Sequence, residues 1–194
     1  MSTTNSNRFH SWLQGLASRK GILILFLLAH GVLFAMMTLT FPRINSQMGT
    51  KAFDLQTFGY SHEEAVAMLG NLDQTTKDLY VFPQLLLLDV LYPLLLALLL
   101  SALIIRLVKL MGLSARFPYS QLYLLPFLAM LFDYIENSLI LYMLSHQDDI
   151  SELLVTVASS ATLLKGVCTL LSWILVLVLF LSWVLSKRKT QKST

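Results

Sequence analysis

Four apolar runs, at residues 21–41, 81–105, 117–144 and about 153–185, each reach the roughly 20 residues a helix needs to span a hydrocarbon core. A chain built this way cannot cover its apolar surface in water. Charged residues make up 13% of its 194 positions, against about 25% in a typical soluble domain. Mean hydropathy is +0.67. The expected fold is all-α: a polytopic, four-transmembrane-helix bundle.

The first run has a competitor, the secretory signal, whose apolar region is only about 7–15 residues and precedes a small-residue cleavage site. Here the run is longer and leaves through Thr40-Phe41-Pro42-Arg43, with no Ala-x-Ala pattern. An uncleaved membrane helix is expected. Residues 1–20, rich in Ser, Thr and Asn, then form an N-terminal tail, 21–185 the transmembrane domain, and 186–194 a basic tail. The loop at 42–80 is polar but patterned. Ser61 and Glu64 have capping-box spacing, Ala65 to Leu69 continues a short helix, and Gly70 suits its end. This loop is expected to cap one end of the bundle. Pro93 and Pro126, within the second and third runs, each remove a backbone donor and are expected to kink their helices.

Orientation follows from basic residues, which are retained on the cytoplasmic side. The two tails and the loop between spans two and three hold ten Lys and Arg and no acid; the opposite side has only Arg43, Lys51 and Lys77. That predicts both termini in the cytoplasm, with the protein in a bacterial cytoplasmic (inner) membrane. It also explains a pI near 9 without nucleic acid, since the basic residues sit where anionic lipid headgroups lie. The acids of the 42–80 loop, Asp54 among them, read as a solvated face.

Five ionisable residues fall inside the spans: His30, Asp89, Asp133, Glu136 and Lys165. Insertion costs roughly 2.5–3.5 kcal/mol for an Asp or Lys at a helix centre, so such residues normally face the bundle interior and find partners. Counted inward at about 1.5 Å per residue, all five lie in one slab roughly 12–18 Å below the outer boundary. Asp133, Glu136 and Asn137 share a helix face through i, i+3, i+4 spacing. Asp89, Tyr92 and Pro93 repeat that spacing, and Thr162, Lys165, Thr169 and Ser172 form a polar stripe. Three carboxyls facing one lysine in a low-dielectric setting imply a retained proton, a bound cation or a basic ligand. The same pattern fits a lysine–carboxylate network that only holds helices in register. His30, alone on its helix, suits a packed, hydrogen-bonded residue better than a ligand contact. Met36, Met37, Met130 and Met143 read as apolar packing, and Trp12, Trp173 and Trp183 as interfacial or packing aromatics.

Several chemistries are disfavoured. Bis-His haem needs a second intramembrane histidine, and disulfide exchange needs a partner for Cys168, the single cysteine. No His-Glu-x-x-His, phosphate-loop or Gly-x-Ser-x-Gly pattern occurs. A carboxylate metal site from Asp89, Asp133, Glu136 and His30 is conceivable by ligand type, but Lys165 beside it argues against one. No metal and no cofactor are expected.

Three stretches carry a resemblance: Phe53-Asp54-Leu55-Gln56-Thr57-Phe58-Gly59-Tyr60, Asp89-Val90-Leu91-Tyr92-Pro93, and Leu131-Phe132-Asp133-Tyr134-Ile135-Glu136-Asn137. Together they resemble an uncharacterised family of small bacterial four-helix integral membrane proteins, without an assigned activity. The resemblance implies the fold alone. In architecture the chain is also similar to the four-helix sterol-isomerase and sigma-2-like membrane proteins, which hold acidic residues in an intramembrane ligand cavity.

Three functions remain open at this point. The first is binding of a small amphipathic or lipid-like ligand in a polar cavity open toward the outer leaflet. Its contacts would be Asp89, Tyr92, Asp133, Tyr134, Glu136 and Asn137, with Lys165 balancing charge and His30 at the same depth. The second is an intramembrane acid/base enzyme on a lipid-like substrate, with Asp133 or Glu136 as catalytic proton carrier. The third is a small proton-coupled transporter, which four helices could form only as a homo-oligomer.

Overall fold

The computed structural model describes residues 3–114, 121–147 and 149–191. Among these, the helices are α1 (Thr3–Leu16), α2 (Arg19–Ala35), α3 (Phe41–Met48), α4 (His62–Gly70), α5 (Gln74–Leu79), α6 (Asp89–Leu110), α7 (Leu125–Ser145) and α8 (Glu152–Gln191). No strand occurs among the described residues. The predicted start of the third span at Phe117, together with Arg116, Asp148 and Lys192, lies outside them.

Four stretches are long and apolar enough to cross a membrane: Arg19–Met48, Gln74–Leu110, Leu122–Ser145 and Glu152–Arg188. The chain is an all-α membrane protein. Its first and fourth spans leave most of their apolar side chains uncovered, among them Leu23, Leu27, Phe34, Val167, Leu170 and Leu177. Apolar exposure on this scale marks a surface made for lipid.

Prolines shape the span boundaries differently from the sequence expectation. Pro42 falls in the first turn of α3, where a missing N–H costs nothing, so the first span runs on past Phe41. The two helices join through a wide turn at Met36–Thr40, in which the Phe41 N–H reaches back five residues to the Met36 carbonyl. The second span starts earlier than expected and breaks at Phe82, whose φ of −141° and ψ of 126° are extended. The cause is Pro83, since a following proline disfavours the helical region. Pro126 occupies the first turn of α7 rather than kinking it.

Local signals fix the loop end. Ser61 Oγ accepts from the Glu64 N–H (3.2 Å) while Glu64 Oε2 accepts from the Ser61 N–H (2.7 Å), closing the capping box that starts α4. Asp73 caps α5 by accepting from the Thr76 N–H at 2.7 Å. The hydrogen bond from the Thr76 backbone holds the Asp73 carboxyl below the ordinary carboxylate range. Part of the N-terminal tail also packs on the bundle: α1 lies on α6, with Leu13 fully buried and Arg106 Nη1 donating to the Ala17 carbonyl at 3.0 Å.

Two hydrophobic cores result. One, at the loop end, joins Phe53, Tyr60, Met68, Leu69 and Tyr80 from the loop to Ile140, Met143 and Val155 of α7 and α8. The other, at the end carrying the termini, joins Leu13, Leu25 and Ala29 to Leu99, Ile104, Tyr123 and Leu179. The middle segments of α6, α7 and α8 lie between them and carry the polar residues. α8 packs mainly on α7 and α6, and α2 on α6.

Candidate functional site

Between the two cores lies a cavity of about 430 Å³, within the 300–1,000 Å³ range of small-molecule sites. Its polar lining comes from four places: Asp54 in the loop, Asp89 and Tyr92 on α6, Asp133 on α7, and Lys165 and Thr169 on α8. The rest is apolar, with Leu33, Met36 and Met37 along the first span, Leu96 and Leu100 on α6, and Leu170 and Trp173 on α8. Met37, Leu170 and Trp173 also keep much of their surface accessible. The cavity is therefore open along these side chains, between the first span and α8.

Several of the polar side chains are held by specific bonds. Asp89 begins α6 just past the Phe82–Pro83 break and is only 4% exposed. Gln84 Nε2 donates to its Oδ2 at 2.7 Å. Gln84 is itself fully buried, and its Oε1 accepts from Thr40, at the end of the wide turn of the first span. The carboxylate is thus oriented through a chain of two neighbours.

Lys165 carries the opposite charge. Its Nζ contacts Glu136 Oε2 and lies 3.4 Å from Asp133 Oδ1. Thr162, one turn before it on α8, donates to Glu136 Oε1 at 2.5 Å. Glu136 is fully buried and is not part of the cavity wall. Asp133 and Lys165 face the cavity, while Glu136 stands behind them as an anchoring counter-charge.

Tyr134 and Asn137 turn elsewhere. Tyr134 donates its hydroxyl to the Val90 carbonyl at 2.8 Å, and Asn137 Nδ2 donates to the Asp89 carbonyl at 3.2 Å. Both clamp α7 to α6 along a separate groove with Leu86 and Ser138. His30 also lies apart: Nδ1 sits 2.9 Å from the Phe26 carbonyl and the ring stacks on Phe26. Of the eight sequence candidates, Asp89, Tyr92, Asp133 and Lys165 meet at the cavity; Glu136 supports them; Tyr134, Asn137 and His30 do not line it.

Asp54 departs from the solvated acidic face expected of the loop: it lines the cavity. Tyr80 donates to its Oδ2 at 2.5 Å, and its Oδ1 is buried with no partner among the described residues. The loop holding it is fastened to α8, where the Tyr60 N–H donates to Ser159 Oγ at 2.8 Å. That approach requires Gly59, with φ of 77° and a virtual Cβ 2.5 Å from Ser159 Oγ. The Tyr60 phenol is pushed above its ordinary range by burial, with the Glu136 charge adding to it. The legible signal was Asp54 between the apolar Phe53 and Leu55, a short distance before a Gly-Tyr pair.

Chemically, the site offers acidic oxygen atoms and hydroxyls at one end and a broad apolar wall at the other. Among the described residues no group of three or more His, Cys, Asp or Glu is arranged to hold a metal ion. No protein-family model matches this chain, and neither a curated protein nor a solved structure does so.

Proposed function

We propose that this protein binds one small amphipathic, lipid-like molecule inside the membrane. The polar part would lie among Asp54, Asp89, Tyr92 and Asp133, and the apolar part against Met36, Leu100 and Trp173. The observation that carries this reading is the 430 Å³ cavity whose lining passes from carboxylates to aliphatic and aromatic side chains. A site of that composition orients a molecule with one polar and one apolar end. The opening between the first span and α8 supports entry from the bilayer.

The basic residues at the termini and beside α6 support a bacterial inner-membrane protein with both termini in the cytoplasm. In that orientation the acidic end of the cavity belongs to the outer half of the bilayer.

Mass spectrometry of lipids and small molecules co-purifying with the protein tests the reading. Asp133→Asn probes the polar end. Gly166→Leu probes the mouth, because Gly166 lines the cavity and a Cβ there meets nothing within 4 Å, so the longer side chain enters free space. The wild type should retain a molecule that both variants lose while keeping their helicity. Equal retention by Gly166→Leu and wild type would defeat the proposal.

A further inference from the structure

Asp54 and Asp89 stand in the cavity wall, and no basic side chain among the described residues is paired to either. The two salt bridges among the described residues both belong to Lys165, which is engaged with Glu136 and Asp133. Asp54 Oδ1 is buried and unpartnered, while the only side-chain hydrogen bond to Asp89 among the described residues comes from Gln84. Carboxylates at membrane depth are costly without a counter-charge, and an ionised carboxylate can only accept hydrogen bonds. Nearby donors are already engaged: Tyr80 donates to Asp54 Oδ2, Gln84 to Asp89 Oδ2, and Lys165 contacts Glu136. The remaining hydroxyls, on Tyr92 and Thr169, can donate or accept and supply no charge.

We propose that the molecule held here carries a hydrogen-bond-donating ammonium head seated between Asp54 and Asp89, and is therefore an amphipathic amine dissolved in the membrane. This rests on the binding reading above and narrows it to one headgroup chemistry. An N–H-bearing ammonium supplies both missing elements, the positive charge and the donors. A quaternary ammonium supplies only the charge, an alcohol only a donor, and a carboxylate or phosphate head adds like charge. Asp54 gains a specific role: the loop from Phe53 to Tyr60, fastened on Ser159, carries the second carboxylate over the head. The tail lies along Leu96, Leu100 and Trp173 and leaves between the first span and α8.

Trp173 lines the cavity and is one of three tryptophans, so a Trp12→Phe/Trp183→Phe background reports on it alone. The full chain in neutral phosphatidylcholine vesicles is titrated with dodecylamine, dodecyltrimethylammonium and dodecanol, with protein-free vesicles correcting for partition. Dodecylamine should bind roughly tenfold or more tightly than either of the others, the scale of hydrogen bonds to charged groups. Asp54→Asn should bring dodecylamine down to the level of dodecanol and leave dodecanol unchanged. Should that variant fail to fold, the headgroup series on the Asp54 protein decides alone. Equal binding of dodecylamine and dodecyltrimethylammonium overturns the donor requirement. Equal binding of dodecylamine and dodecanol overturns the ammonium head but leaves the cavity reading intact. A Trp173 signal indifferent to all three probes, with nothing co-purifying, removes both.

Discussion

Asn137 stands in for the amide hydrogen that Pro93 lacks. In a regular helix the Asp89 carbonyl would accept from the N–H four residues on, and that residue is Pro93. Asn137 Nδ2 approaches the same carbonyl at 3.2 Å from α7 instead. Tyr134, one turn earlier, donates to the next carbonyl, Val90, at 2.8 Å. The proline thus frees a backbone acceptor beside the cavity, and the neighbouring helix uses it for docking.

A double-mutant cycle measures that substitution of one donor for another. Asn137→Ala should destabilise the protein by about 1 kcal/mol, the scale of interhelical hydrogen bonds in membranes. In a Pro93→Ala background, where the backbone N–H returns, the same change should cost much less. Equal costs in both backgrounds, read by reversible denaturant unfolding, would show that Asn137 does not serve the Pro93 gap.

The ion pair behind the cavity predicts an asymmetric outcome. Lys165→Met leaves Glu136, fully buried, without its counter-charge, and breaking a buried pair from one side costs about 3–5 kcal/mol. The double variant Lys165→Met/Glu136→Gln should recover a large part of that loss, since Thr162 can still donate to the amide oxygen. Thermal unfolding of the purified variants checks this. A double variant no more stable than Lys165→Met alone would contradict the pairing.

Seating of the loop depends on Gly59. Ala at this position places Cβ against Ser159 Oγ, at 2.5 Å before relaxation, and must also adopt a left-handed backbone at a cost of about 1–2 kcal/mol. Gly59→Ala should therefore speed amide exchange at Tyr60, whose N–H bonds Ser159, while exchange in α6 stays slow. Hydrogen-exchange mass spectrometry resolves the two. Gly59→Ala/Ser159→Gly should relieve the clash without restoring the Tyr60 bond, so exchange at Tyr60 should remain fast.

The Tyr60 phenol predicts an alkaline limit. Burial raises its folded-state value above that of the unfolded chain, so the folded state keeps its proton longer. The stability linked to this group is fully present below the ordinary phenol range, near pH 10, and declines as pH climbs through it. Tyr60→Phe should flatten that decline. Unfolding free energy followed between neutral and alkaline pH provides the measurement, and an unchanged slope in the variant would refute the assignment.

Sequence alone determined the all-α membrane fold, because length and continuity of apolar residues are local properties that a bilayer reads directly. It also determined that Asp89, Asp133 and Lys165 sit at similar depth, since rise per residue is nearly constant along a helix. Helical spacing put Asp133, Glu136 and Asn137 on one face, but a face is broad enough to meet several neighbours. Which neighbour each one meets was decided by how α7 lies between α6 and α8: Asp133 reaches the cavity, Glu136 the dry side of Lys165, and Asn137 the carbonyl left open by Pro93. The inward turn of Asp54 was likewise tertiary. Its direction depends on Gly59 allowing the loop to touch Ser159, a residue one hundred positions later in the chain, and no local pattern encodes a contact between segments so far apart.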